Sequence, residues 1–350
     1  MLTAVAMAST AVSAADDSRP TVPGGVYDKP HLDDTQERGT VVGGYIDHEL
    51  FWNDERKTFD QHRFIPFIHG TVSDRVHVAA EIEFEHGGNV GGDGEVKLEF
   101  ATMDITFSEA VNYRGGVILS PLGRFNLIHD SPLNDLSNRP LVNREIIPTT
   151  LSEAGMGLYG VVYPNDSALL GYEIYVVNGF NEAAATSLRS GRGSQKDDNN
   201  DEKSIVGRVN YSPVLGLDLG VSGHLGAYDD AGRERLTIVA IDASWNRGPW
   251  DARGEFATAS VDAVPADSRS GYYGQLGYHF LPGAIDIFPN SVFTVSARYD
   301  FIDLDTRDET RYTFGLNFRP EEDTVMKLDY EVWDNDDDKT GVVLSVASYF

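Results

Sequence analysis

Five arginines lie within segments where polar and apolar residues alternate: Arg63, Arg114, Arg208, Arg253 and Arg298. A guanidinium group keeps its charge and holds a carboxylate or phosphate through two hydrogen bonds. Carboxylates take equivalent positions in similar segments: Glu81, Glu83, Glu85, Glu99, Glu173, Asp218, Asp251, Glu255, Asp300, Asp329 and Glu331. Charged groups of both signs at this spacing attract and orient charged solutes.

A second set of charges lies in one long segment, "SPLGRFNLIHDSPLNDLSNRPLVNREIIPTTLS", residues Ser120–Ser152. A connection this long is usually functional or disordered, and its Leu, Ile and Phe content argues against disorder. Its candidate site residues are Arg124, His129, Asp130, Asp135, Arg139, Arg144 and Glu145. If the segment folds inward, acids on it face the arginines above. That arrangement produces a transverse field that orients dipolar solutes.

Bond-making chemistry finds little support in the sequence. The chain has no cysteine, its nine histidines are scattered, and it has no nucleophile elbow. The segment "GMGLYG" (Gly155–Gly160) matches a dinucleotide-binding pattern by letter, but it opens a Tyr/Val-rich strand with no helix after it. We therefore expect neither an enzyme nor a bound cofactor.

The acidic run "DNDDDK" offers Asp334, Asp336 and Asp338 as a weak calcium site. A solvated loop is the commoner outcome for such a run. The formal net charge of −27 argues against nucleic acid as a partner, because a polyanion requires a basic face.

The N-terminal sequence indicates export. Residues 1–14 form an apolar stretch that ends at a small-residue cleavage site, as in a signal peptide. The basic start of a signal peptide is missing, so either the beginning is truncated or the stretch is a short structural element. Residues 15–40 are polar and contain proline, which predicts an extended periplasmic segment. No apolar run approaches the roughly 20 residues of a membrane-spanning helix.

From Val41 to Phe350 the dominant pattern has a period of two, as in "RVHVAAEIEFEH" and "TVMKLDYEVW". We predict sixteen strands, beginning near Val41, Asp60, Arg75, Glu95, Val111, Ala154, Ala168, Lys203, Gly216, Arg235, Pro249, Ser270, Ser291, Glu309, Thr324 and Thr340. Connections after even-numbered strands are mostly tight. Those after odd-numbered strands, beginning with "NDERKTF", are longer and more polar. The segment "LPGAIDIFPN" after the twelfth strand breaks this rule.

Alternating short and long connections over an even number of strands are typical of a transmembrane antiparallel β-barrel. The final segment "GVVLSVASYF" alternates as well, and pairing it with the first strand would close the sheet and leave no edge in lipid. The fold class predicted is all-β: a barrel of about sixteen strands spanning residues 41–350, with the long third loop folded into the lumen.

Three segments carry a family resemblance: "FDQHRFIPFIHGTVSDRVHVAAEIEFEHGG", "GRFNLIHDSPLNDLSNRPLV" and "IIPTTLSEAGMGLYG". They resemble bacterial outer-membrane porins of the phosphate-selective O and P group. The resemblance implies a trimeric porin in the outer membrane, in contact with lipid and lipopolysaccharide. Phosphate selectivity in that group depends on a ladder of lysines and arginines. Here only Lys97 and Lys327 among the lysines fall on predicted luminal faces.

We therefore predict a general diffusion channel for small hydrophilic solutes, neutral to cation-preferring because of the acidic composition. One alternative is an anion- or phosphate-selective porin that uses the luminal arginines. Another, from a different class, is a secreted all-β binding protein or adhesin. That alternative requires a polar outer surface.

Overall fold

The computed structural model describes residues 39–88, 94–262, 264, 268–304, 307–334 and 336–350. The predicted signal peptide (1–14) and nearly all of the predicted periplasmic segment (15–40) lie outside the described residues. Within the described part of the chain, no helix is long and apolar enough to cross a lipid bilayer.

The strands form one closed antiparallel barrel in which each pairs with its sequence neighbours and β1 pairs with β16. The sixteen strands are β1 (Thr40–Asn53), β2 (Lys57–Ser73), β3 (Val76–Glu85), β4 (Glu95–Thr106), β5 (Asn112–Leu119), β6 (Ser152–Asn165), β7 (Ala168–Val177), β8 (Ser204–Val214), β9 (Leu217–Ala227), β10 (Arg235–Arg247), β11 (Trp250–Val261), β12 (Ser268–Phe280), β13 (Val292–Asp303), β14 (Asp308–Glu321), β15 (Thr324–Trp333) and β16 (Gly341–Tyr349). The predicted fold class is confirmed.

Short and long connections alternate as predicted, with one exception that the sequence indicated and one that it did not. Residues 281–291 form a longer turn at the end where other connections are tight, as the sequence indicated. The prediction of a long first loop, "NDERKTF", was wrong, because Lys57–Phe59 extend β2 and pair with β1. Phe59 continues the alternation on the outer face, where its ring stacks on His48 at 5.8 Å.

The outer face is apolar at mid-height. On β15, Met326, Leu328 and Tyr330 are about half exposed, while the intervening Lys327 and Asp329 are buried inside. The same inward–outward alternation occurs on β16, where Leu344 and Val346 face out. An apolar exterior over a polar interior is the inverse of a water-soluble protein and fits a barrel surrounded by hydrocarbon.

Aromatic rings line both borders of this apolar face over β11–β14. At the end with tight turns, ring contacts of 4.6–6.5 Å link Trp250, Tyr278, Phe280, Phe293 and Phe318. Towards the opposite end, contacts of 5.2–5.9 Å link Tyr272, Tyr299, Phe301 and Tyr312. Such girdles mark the two membrane–water interfaces of outer-membrane barrels.

Candidate functional site: the barrel lumen

The third loop, residues 120–151, leaves the wall between β5 and β6 and crosses the lumen. Prolines set its local shape, because proline cannot continue a ladder of strand hydrogen bonds. A 3-10 turn spans Ser131–Leu133, and a short α-helix, α1 (Leu141–Glu145), begins directly after Pro140. Most of the loop is buried inside the barrel.

Backbone groups of the third loop are fixed to carboxylates on the far wall. The Ser137 amide donates to Asp329 at 2.6 Å, and the Leu141 amide donates to Asp300 at 3.0 Å. Glu255 accepts from the Arg124 amide at 2.8 Å. These contacts tie the loop to β11, β13 and β15, so much of the wall opposite β5 and β6 holds it.

An apolar core also forms inside the barrel. The third loop contributes Leu122, Leu141, Val142, Ile146, Ile147 and Leu151. The fourth loop, residues 178–203, turns inward as well and contributes Phe180, Ala184 and Leu188. Both loops pack on small or apolar inward residues of the wall, such as Ala240, Ala257 and Ile238. This core fills the lumen next to β7–β13.

Each of the five wall arginines predicted from alternation lies inside the barrel and is paired with a carboxylate. The pairs and their shortest printed N–O distances are Arg63–Glu83 at 3.1 Å, Arg114–Asp104 at 2.8 Å, Arg208–Asp242 at 2.6 Å, Arg253–Asp135 at 3.4 Å and Arg298–Asp300 at 2.8 Å. Pairing is expected because a buried charge without a partner is strongly destabilising. The inner wall therefore holds these five arginines as ion pairs.

The loop residues predicted as site residues divide into two groups. Arg124, Asp130 and Asp135 are held against the wall: Arg124 lies 3.9 Å from Asp218, the Tyr349 hydroxyl donates to Asp130, and Asp135 also contacts Arg319 at 3.2 Å. Asp135 is thus in direct contact with Arg253 and Arg319. The sequence predicted that acids of the third loop face the wall arginines, and at Asp135 no open space separates the two. His129, Arg139, Arg144 and Glu145 line the cavity described next.

A cavity of about 380 Å³ lies between the third loop and the wall formed by β1–β3 and β14–β16. It is at the end of the barrel that carries the long connections. Its cations are Arg56, Arg63, Arg139, Arg144, Arg189, Arg311 and Lys339, and its carboxylates are Glu55, Glu85, Glu145 and Glu331. The cavity lining is therefore more basic than the chain as a whole.

The Trp333 ring lies beside three of these cations. The charged groups of Arg144, Arg311 and Lys339 lie 5.2–5.5 Å from the centre of its ring. An indole face attracts cations through its quadrupole, which stabilises three like charges close together.

Two groups of the third loop have shifted pKa values with opposite consequences. Burial alone would raise the pKa of Asp135, but Arg319 and Arg253 hold it below its ordinary range. For Arg139, burial and the neighbouring Arg63 lower the pKa. Asp135 is therefore a satisfied anchor. Arg139 is only partly satisfied: its Nη1 donates to the Thr149 carbonyl and its Nη2 lies 3.9 Å from Glu85, but Nε and Nη2 are buried with no hydrogen-bond partner among the described residues.

Several inward residues were not singled out from the sequence. Arg311 and Arg319 lie on the polar face of "RYTFGLNFR", so the alternation rule could have selected them. Arg189 and Arg192 of the fourth loop donate to the carbonyl oxygens of Thr149 and Thr150. No local signal predicts that the fourth loop folds inward.

The predicted calcium residues are not gathered together. Asp336 instead pairs with Lys339 at 2.8 Å. Within the described residues, the histidine and carboxylate groups close enough to share an ion do not include Asp334, Asp336 or Asp338. Calcium at this loop stays a prediction.

A closed barrel with this exterior, paired girdles and a charged lumen is a protein of the bacterial outer membrane. Its predicted location is confirmed, and the apolar exterior contradicts the alternative of a secreted soluble binding protein.

Comparison with known proteins places the fold among porins. No protein-family model matches the chain. An uncharacterized protein of Aquifex aeolicus (strain VF5) is 28% identical over 353 residues, covering 89% of this chain and 79% of that protein. The anion-selective porin of Comamonas acidovorans superposes with a TM-score of 0.60 at 12% identity, covering 90% of this chain and 100% of that chain.

Two further solved structures agree. OmpF of Salmonella typhi, in complex with daunomycin, gives a TM-score of 0.57 at 12% identity, covering 89% of this chain and 97% of that chain. The trimer form of OmpT, an outer membrane protein of Vibrio cholerae, gives 0.57 at 10% identity over 89% and 99% of the two chains. Identities this low show the fold, a sixteen-stranded porin-like barrel. The closer resemblance to phosphate-selective porins O and P stays a prediction.

Proposed function

We propose that the chain is a porin: a passive, water-filled channel through which small hydrophilic solutes and ions diffuse across the outer membrane, with no turnover chemistry. The observation that carries this proposal is the third loop inside the lumen, which leaves a charged cavity beside it. The loop would set the size limit for solutes, and the cavity charges would set the preference among them.

The proposal is tested with the full chain folded in detergent and added to planar lipid bilayers. Stepwise current increases are expected from protein that migrates as a compact band on unheated gels. The same sample after heat unfolding is the matched control and should give no steps. Folded protein that inserts into the bilayer without producing steps would refute the proposal.

The ion preference proposed first is neutral to cation-preferring. The formal charge of −27 supports it, as do inward carboxylates such as Glu81 and Glu99 on the wall. A focused field of one sign raises the local concentration of the opposite ion. A reversal potential of cation sign in a potassium chloride gradient is the expected result.

A second candidate, an anion-preferring channel, is favoured by the basic lining of the cavity. Arg139 supports it most directly, because its Nε and Nη2 make no hydrogen bond among the described residues, lie near Arg63 and Arg189, and could donate to an entering anion. The same reversal-potential measurement separates the two candidates by its sign. Repeating it with phosphate salts tests phosphate preference.

We further propose a homotrimer embedded in lipid and lipopolysaccharide. The OmpT structure from Vibrio cholerae is described as a trimer, which supports a trimer here by analogy of fold. Chemical cross-linking of the folded protein in detergent should produce a ladder that ends at three chains. A ladder ending at one chain would contradict the trimer and leave the channel proposal standing.

A further inference from the structure

A cluster of histidine and carboxylate side chains lies on the inner wall beside the cavity, outside the third loop. Asp60, His62 and His86 each present a ligand-type atom within 4.8 Å of the other two. Nδ1 of His86 is 2.9 Å from both carboxylate oxygens of Asp60, and Nδ1 of His62 is 3.5 Å from one of them. Both histidines line the cavity, so the cluster can be reached from water.

Irregular backbone brings these side chains together. The β1–β2 register shifts between Asp47 and Glu49, so Gln61 and His62 both stand opposite His48. Such a bulge re-aims side chains and is common beside functional sites. His86 has a φ of 50°, in the left-handed region that non-glycine residues rarely adopt. Its amide donates to the His62 carbonyl at 3.2 Å, which fixes the two histidines to each other.

One carboxylate aimed at this cluster has an unused oxygen. Glu49 is 1% exposed, and its Oε2 has no hydrogen-bond partner among the described residues. The atom lies 3.5 Å from His62 Nδ1, which is also buried and lacks a hydrogen bond. Groups buried in this way are costly unless something binds them, so the free His62 Nδ1 beside a buried carboxylate points to a ligand at His62.

We propose that Asp60, His62 and His86 bind a divalent transition-metal cation of the zinc type. Asp60 lies 2.9 Å from His86 Nδ1 and 3.5 Å from His62 Nδ1, which are separations of atoms arranged around one ion at bond lengths of about 2.0–2.2 Å. Asp60 balances one of the two charges of the cation, and the buried Glu49, 3.5 Å from His62, adds a second carboxylate close by. The nearby Arg63 does not compete, because Glu83 and Glu85 hold it at 3.1 and 3.4 Å.

The donor set selects the class of metal. Imidazole nitrogens suit zinc, nickel and copper, whereas calcium prefers six to eight oxygen ligands. The cation would sit on the cavity wall, where it adds positive charge beside Arg63 and ties β2 to the turn after β3. This inference concerns binding and does not depend on whether the barrel conducts.

The test is isothermal titration of zinc into the full chain, folded in detergent and stripped with a chelator. One zinc ion per chain is expected at this site, with no competition from excess calcium. His62→Gln should weaken zinc binding by at least about ten-fold, since even partners of metal ligands contribute that much. His48→Gln is the matched control, because His48 stands opposite His62 on the neighbouring strand β1 but faces outward.

Gel mobility of unheated samples reports whether each variant is folded. If His62→Gln does not fold, His86→Gln replaces it, because His86 lies in a turn and its side chain is 43% exposed. Equal zinc affinity in the wild type and the folded histidine variant would overturn the proposal. So would a wild-type chain that binds no zinc, or one in which calcium displaces zinc.

Discussion

Replacing Asp135 with Ala should loosen the third loop. The Asp135 carboxylate lies 3.4 Å from Arg253 and 3.2 Å from Arg319, and its side chain is 6% exposed. Removing one member of a buried ion pair costs about 3–5 kcal/mol. The two arginine side chains keep 16% and 14% of their exposure, so water can partly solvate them. The lower end, about 3 kcal/mol, is therefore expected.

A loss of about 3 kcal/mol raises the population with the segment around Asp135 detached by roughly a hundred-fold. Single-channel recording measures this population as the fraction of time spent at a larger conductance level. Asp197→Ala is the control: it removes the same charge from a fourth-loop carboxylate whose side chain is 72% exposed. Equal occupancy of the larger level in both variants would refute the role of Asp135 as an anchor.

Three further outcomes are expected. The pKa of Asp135 is lowered in the folded state, so its charged carboxylate stabilises loop docking at every pH above its ordinary pKa of about 4. This stabilisation is lost as the pH falls through the lower pKa of the folded state. Channel noise should therefore stay constant from neutral pH down to about pH 4 and rise below it. Gly220→Ala would place a methyl group 2.5 Å from an Asp242 oxygen, within the Arg208–Asp242 ion pair that spans β9. The free energy of unfolding should therefore fall by about 1–3 kcal/mol. Gel mobility against temperature measures this, and an unchanged midpoint temperature of unfolding would contradict it. Arg139→Gln removes a cavity cation that is only partly paired, so the reversal potential should move towards cations; an unmoved potential would take Arg139 out of the ion path.

Much of the barrel could be predicted because its information is local. Lipid outside and charge inside impose a period of two, so strands such as Glu95–Thr106, Ala168–Val177 and Thr324–Trp333 begin at the predicted residues. The pattern also assigned Arg63 and Arg298 to the inner face, where the structure has them. The prediction of a long first loop was wrong, because Lys57–Phe59 were interpreted as part of a polar connection but pair with β1.

The interior arrangement could not be predicted, because it depends on contacts between distant residues. Alternation places an arginine inside but does not say which carboxylate neutralises it, as with Arg208 and Asp242. The fourth loop is one of the longer and more polar connections in the sequence, yet Phe180 and Leu188 are buried in the same apolar core as the third loop. The bulge that brings His62 beside Glu49 results from a shift in the β1–β2 pairing register, which amino-acid composition does not predict.

The position of the cavity has a consequence for biogenesis. Asn53 on β1 and Val343 on β16 both border it, and these strands join residues 298 positions apart, as in the Ser345–Asp47 hydrogen bond. Pairings between residues so distant in sequence form slowly, because the entropy of closing the intervening chain opposes them. Until it is made, the cavity has an open side. Closure of the barrel and completion of the cavity wall are therefore the same event.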